Sequence, residues 1–180
     1  MMTFSPEVQA ARVAAAFERI HDEQMAGLPL LNQALGVATL GFREHAGRVV
    51  GMLVTPWMMS VVLLPGVEDD DWQAMALGDK QTHAFPGGSF RFLVNRVDEL
   101  GVFQVHSVHS PMRGFPSQSA ALAEAAGFLE RLLTPANAEP QQDLVDEELL
   151  GRILRGEAVP AVDAAVGAMQ AGSPEGGVGR

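Results

Sequence analysis

The sequence predicts an α+β domain: a mainly antiparallel sheet with N-terminal and C-terminal helices packed on it, followed by a flexible tail. Two helical stripes of apolar residues enclose a long region where apolar residues alternate with period two, as on half-buried strands. Beyond Thr134 the composition shifts to Pro, Ala, Gln, Glu and Gly, which is typical of segments that bury no core. We therefore assign residues 1–135 to the domain and residues 136–180 to a low-complexity, largely flexible tail.

The two helices are predicted from their start signals and their apolar stripes. Ser5-Pro6-Glu7 combines an N-cap serine, a proline at the first helical position and an acid in the first turn. The stripe that follows ends near Gly27. A second stripe begins at Ser117 or Ser119 and stops before Pro135. We expect the second helix to lie beside the first, so that both helices cover one face of the sheet.

The region between the helices predicts strands. Residues 37–42 and 48–55 flank His45-Ala46-Gly47, which indicates a hairpin with glycine at a positive φ. Residues 61–64 are typical of a buried strand. After a loop with a short helix near residues 73–77, residues 90–97 and 102–108 predict two further strands. On the last strand we expect Phe103 and Val105 to point inward, with Gln104 and His106 on the other face.

Composition and charge exclude several classes of function. The chain has no cysteine, which excludes disulfides, thiolate metal sites and cysteine nucleophiles in this polypeptide. It has neither a basic and apolar leader at its start nor an apolar run long enough to span a membrane, so we expect a cytoplasmic protein without membrane insertion. Asp and Glu outnumber Lys and Arg by 22 to 12. Such a chain repels nucleic acid and attracts cationic segments.

No motif demands catalysis, and we predict no catalytic, metal-binding or cofactor-binding residues. His106 and His109 would point to opposite faces of a regular strand, so they would not share a metal ion without a bulge. No serine lies in a Gly-x-Ser-x-Gly elbow, and the Gly87-Gly88 turn lacks the lysine and helix of a phosphate loop. The alternative is a small-molecule or cofactor-binding protein, or an enzyme, that uses His106, Gln104 and Arg91.

The strongest candidate for a partner-binding surface is a set of apolar residues at loops that contain prolines. Pro56 should end its strand and present the residues after it on a short irregular segment. Tryptophan and methionine there would form either a packed corner of the core or a surface that grips an apolar chain. An acidic run would serve as its electrostatic rim. The predicted contact residues are Trp57, Met58, Met59, Met112 and Phe115, with Glu68, Asp69, Asp70 and Asp71 as the rim.

Several of these segments together resemble a known family. They are Val54-Thr55-Pro56-Trp57-Met58-Met59-Ser60 with Leu64-Pro65-Gly66, Phe85-Pro86-Gly88 with Phe90, Asp98-Glu99-Leu100-Gly101, and Ser107-Val108-His109-Ser110-Pro111-Met112 with Phe115-Pro116-Ser117. In order and spacing they resemble the HybE family of nickel-iron hydrogenase assembly chaperones, which includes the HupJ and HoxT types. The resemblance covers about residues 6–135, with the tail outside it.

The resemblance implies a cytoplasmic, non-enzymatic maturation factor for the hydrogenase small subunit. Its partner would be the small-subunit precursor, which carries a twin-arginine export signal and awaits its iron-sulfur clusters. Other maturation factors would also be partners. A rubredoxin would have to be a separate protein, because this chain lacks the Cys-x-x-Cys pairs that a fused rubredoxin needs. The family motifs define no catalytic residues, so none is carried over.

Overall fold

The computed structural model describes residues 5–135, which form two α-helices and a six-stranded antiparallel sheet. The order of the strands in the sheet is β1-β2-β3-β6-β5-β4, and every neighbouring pair is antiparallel. This arrangement confirms the α+β class, while the predicted tail lies outside the described residues. The helices are α1 (Pro6–Ile20) and α2 (Gln118–Leu133), and the strands are β1 (Ala38–His45), β2 (Arg48–Val54), β3 (Met59–Leu64), β4 (Lys80–Phe85), β5 (Gly88–Val97) and β6 (Gly101–His109).

Both helices begin where the sequence predicts. The hydroxyl of Ser5 accepts a hydrogen bond from the Val8 amide at the start of α1, and Ser117 caps α2 in the same way. After Ile20 the chain continues through a wider, π-helical turn from His21 to Met25. Arg19, near the end of α1, forms an ion pair with Glu99 in the turn between β5 and β6. This pair ties the first helix to the sheet.

The two helices cover opposite faces of the sheet, which corrects the prediction that they share one face. All six residues of β3 are buried, so both sides of this central strand need a covering layer. Val13 and Phe17 of α1 pack in one cluster with Val62 of β3, whereas Leu129 of α2 packs in another cluster with Val61. Successive residues of a strand point to opposite faces, and the two clusters divide β3 between them in this way.

The sheet curls strongly around α2. Its order places β1 and β4 at opposite edges, yet the ring of His45 on β1 stacks on Phe85 of β4, with centroids 5.2 Å apart. The amide of Gly87, in the β4–β5 turn, donates to the carbonyl of Leu132 in α2 at 2.9 Å. At the other edge, a Cβ on Gly41 of β1 would lie 2.2 Å from Leu129 of α2. The second helix therefore lies in the concave side and bridges the two edges.

Three local features of the chain compare differently with the predictions. Ala46 and Gly47, with φ of 50° and 79°, join β1 to β2 as a two-residue hairpin turn, which confirms the predicted hairpin. Strand β4 is not among the predicted strands, because the first four of its six residues are all polar. The predicted short helix is a single 3₁₀ turn at Asp70–Ala74, a few residues earlier than expected.

Gly51 on β2 tests the packing on the α1 side of the sheet. A Cβ at this position would lie 2.0 to 2.5 Å from the ring of Phe42, whose backbone is fixed in β1. We expect Gly51→Ala to lower the free energy of unfolding by about 1–3 kcal/mol through overpacking, measured by urea denaturation. Gly36→Ala is the control, since nothing lies within 4 Å of a Cβ there. Equal stability of the two variants would contradict this packing.

Candidate partner-binding surface

The predicted contact residues divide into buried and partly open positions. Met59 and Met112 are completely buried in the core on the α2 side, so their side chains fill the interior and are not at the surface. Trp57 and Met58 are half-buried against the α1-side core, and Phe115 is half-buried against the α2-side core. The accessible part of the predicted surface is therefore formed by Trp57, Met58 and Phe115.

Asn32 holds the segments that carry these residues together. Its backbone N–H donates to the carbonyl of Pro56 at 2.9 Å. Its side-chain amide donates to the carbonyls of Met112 and Phe115, both at 2.8 Å. The proline corner and the 110–116 loop, distant in sequence, are thus brought to one end of the sheet. The sequence carries no periodicity or turn signal that singles out this asparagine.

A third segment, just after α1, completes the surface. Leu28 and Leu30 are exposed and lie within a few residues of Asn32. The ring of His21 stacks on Trp57 with centroids 6.1 Å apart, and the acids Asp22 and Glu23 directly follow it. We call Leu28, Leu30, Trp57, Met58 and Phe115 the corner surface. It combines apolar side chains with a short acidic segment beside it.

The predicted acidic rim lies elsewhere. The corner precedes β3 and the acidic run follows it, so five residue steps along the strand place them about 17 Å apart. Glu68, Asp70 and Asp71 are exposed there. Asp69 is mostly buried and forms a two-bond ion pair with Arg48, at 2.6 and 2.8 Å. The acidic run therefore does not border the corner surface, and Asp69 stabilises the fold through its ion pair.

The Arg48–Asp69 pair belongs to a polar chain that crosses the concave side of the sheet. Arg48 donates to Nδ1 of His83 at 3.2 Å, and because arginine has no acceptor, this nitrogen carries no proton. The Nε2–H of His83 then donates to Oε1 of the buried Gln104 at 2.7 Å. The Arg48 guanidinium also lies 4.9 Å from the ring of Trp72. This chain links β2, β4 and β6 and leaves Gln104 satisfied.

The residues of the alternative, ligand-binding hypothesis do not form one site. Arg91 precedes Phe92 on β5 and points to the convex side of the sheet, whereas Gln104 and His106 point to the concave side. His106 donates through Nδ1 to the Arg91 carbonyl, and its ring packs against aromatic residues. In residues 5–135, no three His, Asp or Glu side chains are grouped to hold a metal ion.

A register shift on β6 changes one expectation about the histidines. The pairing of β3 with β6 moves from Ser60–Ser107 to Met59–His109, so the strand is irregular between residues 107 and 109. His109 consequently reaches Glu124 of α2, at 3.5 Å, while His106 stacks on Phe128 of the same helix. Both histidines face α2, which corrects the prediction of opposite faces.

Comparison with known proteins now identifies the group to which this fold belongs. A family model described as "[NiFe]-hydrogenase assembly, chaperone, HybE" matches residues 8–156. The chain belongs to the HybE family of nickel-iron hydrogenase assembly chaperones. The match extends beyond residue 135, which corrects the expectation that the resemblance stops where the predicted tail begins.

Individual relatives support the HybE assignment. The hydrogenase expression/formation protein HupJ of Bradyrhizobium diazoefficiens is 36% identical over 132 residues, covering 71% of this chain and 73% of that protein. The probable rubredoxin HupJ of Rhodobacter capsulatus is 33% identical, covering 73% of this chain but only 47% of that longer protein. The solution structure of HybE from Escherichia coli superimposes with a TM-score of 0.57 at 24% identity, covering 80% and 91% of the two chains, and shows the same fold.

No helix of residues 5–135 is long and apolar enough to cross a membrane. The two α-helices in this described part of the chain have 15 and 16 residues. Both instead bury one face against the sheet.

The ion pair of Asp69 should make the stability of the fold depend on pH in the acid range. Hydrogen bonds from the Arg48 guanidinium lower the pKa of the Asp69 carboxyl below the ordinary aspartate value of about 3.9. A lowered folded-state pKa stabilises the fold above that ordinary value, and this contribution is lost as pH falls through the lower, folded-state value. Asp69→Asn should therefore unfold about 1–3 kcal/mol more easily at pH 7, with the difference shrinking below pH ~4.

Urea denaturation of the wild type and the Asp69→Asn variant between pH 7 and pH 3 measures the difference in their free energies of unfolding. Asp70→Asn is the matched control, because Asp70 is exposed and forms no ion pair in the described part of the chain. The control should follow the wild type at every pH. A constant difference between wild type and Asp69→Asn across the range would contradict the role of the Asp69 charge.

Proposed function

We propose that the chain is a non-enzymatic, cytoplasmic chaperone that binds the small-subunit precursor of a nickel-iron hydrogenase through the corner surface. Membership of the assembly-chaperone family supports a role in hydrogenase maturation. The observation that carries the choice of site is the meeting of three loops at one end of the sheet, with apolar side chains left partly open. Adaptable apolar side chains of this kind suit contact with another apolar segment.

Charge supports the choice of partner. The chain has a formal net charge of -10, so it attracts cationic segments over a distance. A twin-arginine leader combines a basic head with an apolar stretch, and both features match the chemistry of this protein. Asp22 and Glu23 lie beside the corner surface, while Glu68, Asp70 and Asp71 add to the long-range field. The acids would speed encounter, and the apolar residues would set the lifetime of the complex.

The consequence of leader binding would be a delay in export. A precursor whose leader is covered is held in the cytoplasm while its clusters are inserted and its large subunit is awaited. These 180 residues contain no cysteine, so a rubredoxin that assists this step would have to supply its own iron ligands. Protection of the clusters would then come from shielding by the bound chaperone.

A pull-down of the small-subunit precursor tests this function. We expect binding of the full-length precursor, loss of most binding when the leader is deleted, and weakening in about 0.5 M salt, where surface charges are screened. Equal binding of the leaderless subunit would show that the chaperone recognises the mature part of the subunit and not the leader. Absence of binding to either form, under conditions in which both are folded, would overturn the proposal.

Trp57→Ser tests the site within the same assay. Because Trp57 is only half-buried, the fold should survive, as far-ultraviolet circular dichroism would show, and precursor binding should weaken by about tenfold. Val67→Ser is the control, since Val67 is an exposed apolar residue near the acidic run and away from the corner surface. An equal effect of both substitutions would contradict the corner surface as the site.

A further inference from the structure

Leu28 and Leu30 form an unusual pair among the exposed apolar residues of residues 5–135. Their side chains are 38% and 37% exposed, although they are separated by a single proline. The remaining large apolar side chains with comparable exposure are isolated from one another along the chain, and single exposed apolar residues are normal at a protein surface. These are Val8, Val67, Leu77 and Leu93.

The loop that carries the two leucines is held in place by the residues that follow it. Leu31 and Leu35 are 8% and 7% exposed and anchor the loop to the interior. Asn32 fastens it to Pro56, Met112 and Phe115 through three hydrogen bonds. Since these anchors occupy the inward positions, Leu28 and Leu30 are kept outside by the geometry of the loop.

The surroundings of the pair indicate the chemistry of what it contacts. Asn32 bonds to Pro56, which directly precedes Trp57, so the leucines extend the apolar corner surface. The side chains of Asp22 and Glu23 are 78% and 58% exposed, at the start of the connection that leads from α1 to the loop. Glu23 pairs with Arg19, but Arg19 is shared with Glu99, so this segment keeps a net negative charge. An apolar stretch next to a basic head would place its two parts against these two groups.

We propose that Leu28 and Leu30 are contact residues for the apolar stretch of the precursor's leader, and that Asn32 is the residue that positions them beside Trp57. This inference rests on the proposed function and specifies which residues of the corner surface contact the apolar stretch of the leader and which residue positions them. Neither leucine belongs to the motifs that resemble the family. The occupant is an apolar segment flanked by basic residues, which the net negative charge beside the two leucines favours.

The test is binding of a synthetic peptide with the sequence of the complete leader, measured by intrinsic tryptophan fluorescence or by calorimetry. The double variant Leu28→Ser/Leu30→Ser should bind about tenfold more weakly, because two partly exposed leucines lose their apolar contact. Leu77→Ser/Leu93→Ser is the matched control, since these leucines are 63% and 41% exposed and lie on other parts of the domain. The control should stay within about twofold of the wild type.

Asn32→Asp separates positioning from a general loss of structure. The substitution keeps an acceptor for the Ala34 amide but removes both donors to the loop carbonyls. It should weaken binding in the wild-type background and add little in the Leu28→Ser/Leu30→Ser background, as expected for residues that act as one unit. Full additivity of the two changes would overturn the positioning role.

The outcomes distinguish this inference from the function on which it rests. If the wild type binds the leader and the Leu28→Ser/Leu30→Ser variant binds equally well, the contact assignment is wrong and the chaperone function stands. Failure of the wild type to bind leader and precursor would overturn both. An equal loss in the Leu77→Ser/Leu93→Ser control would show that binding follows total surface apolarity, which also overturns the assignment.

Discussion

The burial of β3 on both faces is the constraint on which the domain depends. Six consecutive residues of this strand are buried, so the sheet must be covered on each side. α1 covers one side and α2 the other, and the curled sheet brings both edge strands toward α2. The corner at residues 55–58 joins β2 to β3 at the end of the sheet, where Trp57 and Met58 are only partly covered. The surface proposed for the partner is thus a consequence of how the core is closed.

The sequence predicts the elements of this fold better than their arrangement. The caps at Ser5 and Ser117 and the glycine turn after β1 are local signals, and local geometry decides them. Helical periodicity shows that a helix has an apolar face, but it does not say which side of the sheet that face covers. The continuous apolar run of β3 was the signal for two covered faces. Strand β4 was not predicted because its half-buried inward positions, Gln81 and His83, are polar and hide the alternation.

The candidate site was only partly predictable for a related reason. Residue type indicated that the Trp and Met residues near Pro56 matter, yet the buried Met59 and half-buried Met58 are neighbours with the same side chain. Strand alternation, which needs the exact pairing, decides between them. Asn32 acts through contacts with residues 24 to 83 positions away, and no local pattern records such contacts. The four acids of residues 68–71 are indistinguishable in the sequence. In the fold, Asp69 forms an ion pair with Arg48, whereas its three acidic neighbours are exposed to solvent.

Amide hydrogen exchange of the chaperone, free and in complex with full-length precursor, tests the central claim most directly. The account predicts that binding slows exchange at residues 27–32, 55–58 and 110–116, which form the three loops held together by Asn32. Exchange at residues 68–74 and on the exposed side of α2 should change little. Protection confined to those two regions, with the three loops unchanged, would contradict the corner surface as the place where the precursor binds.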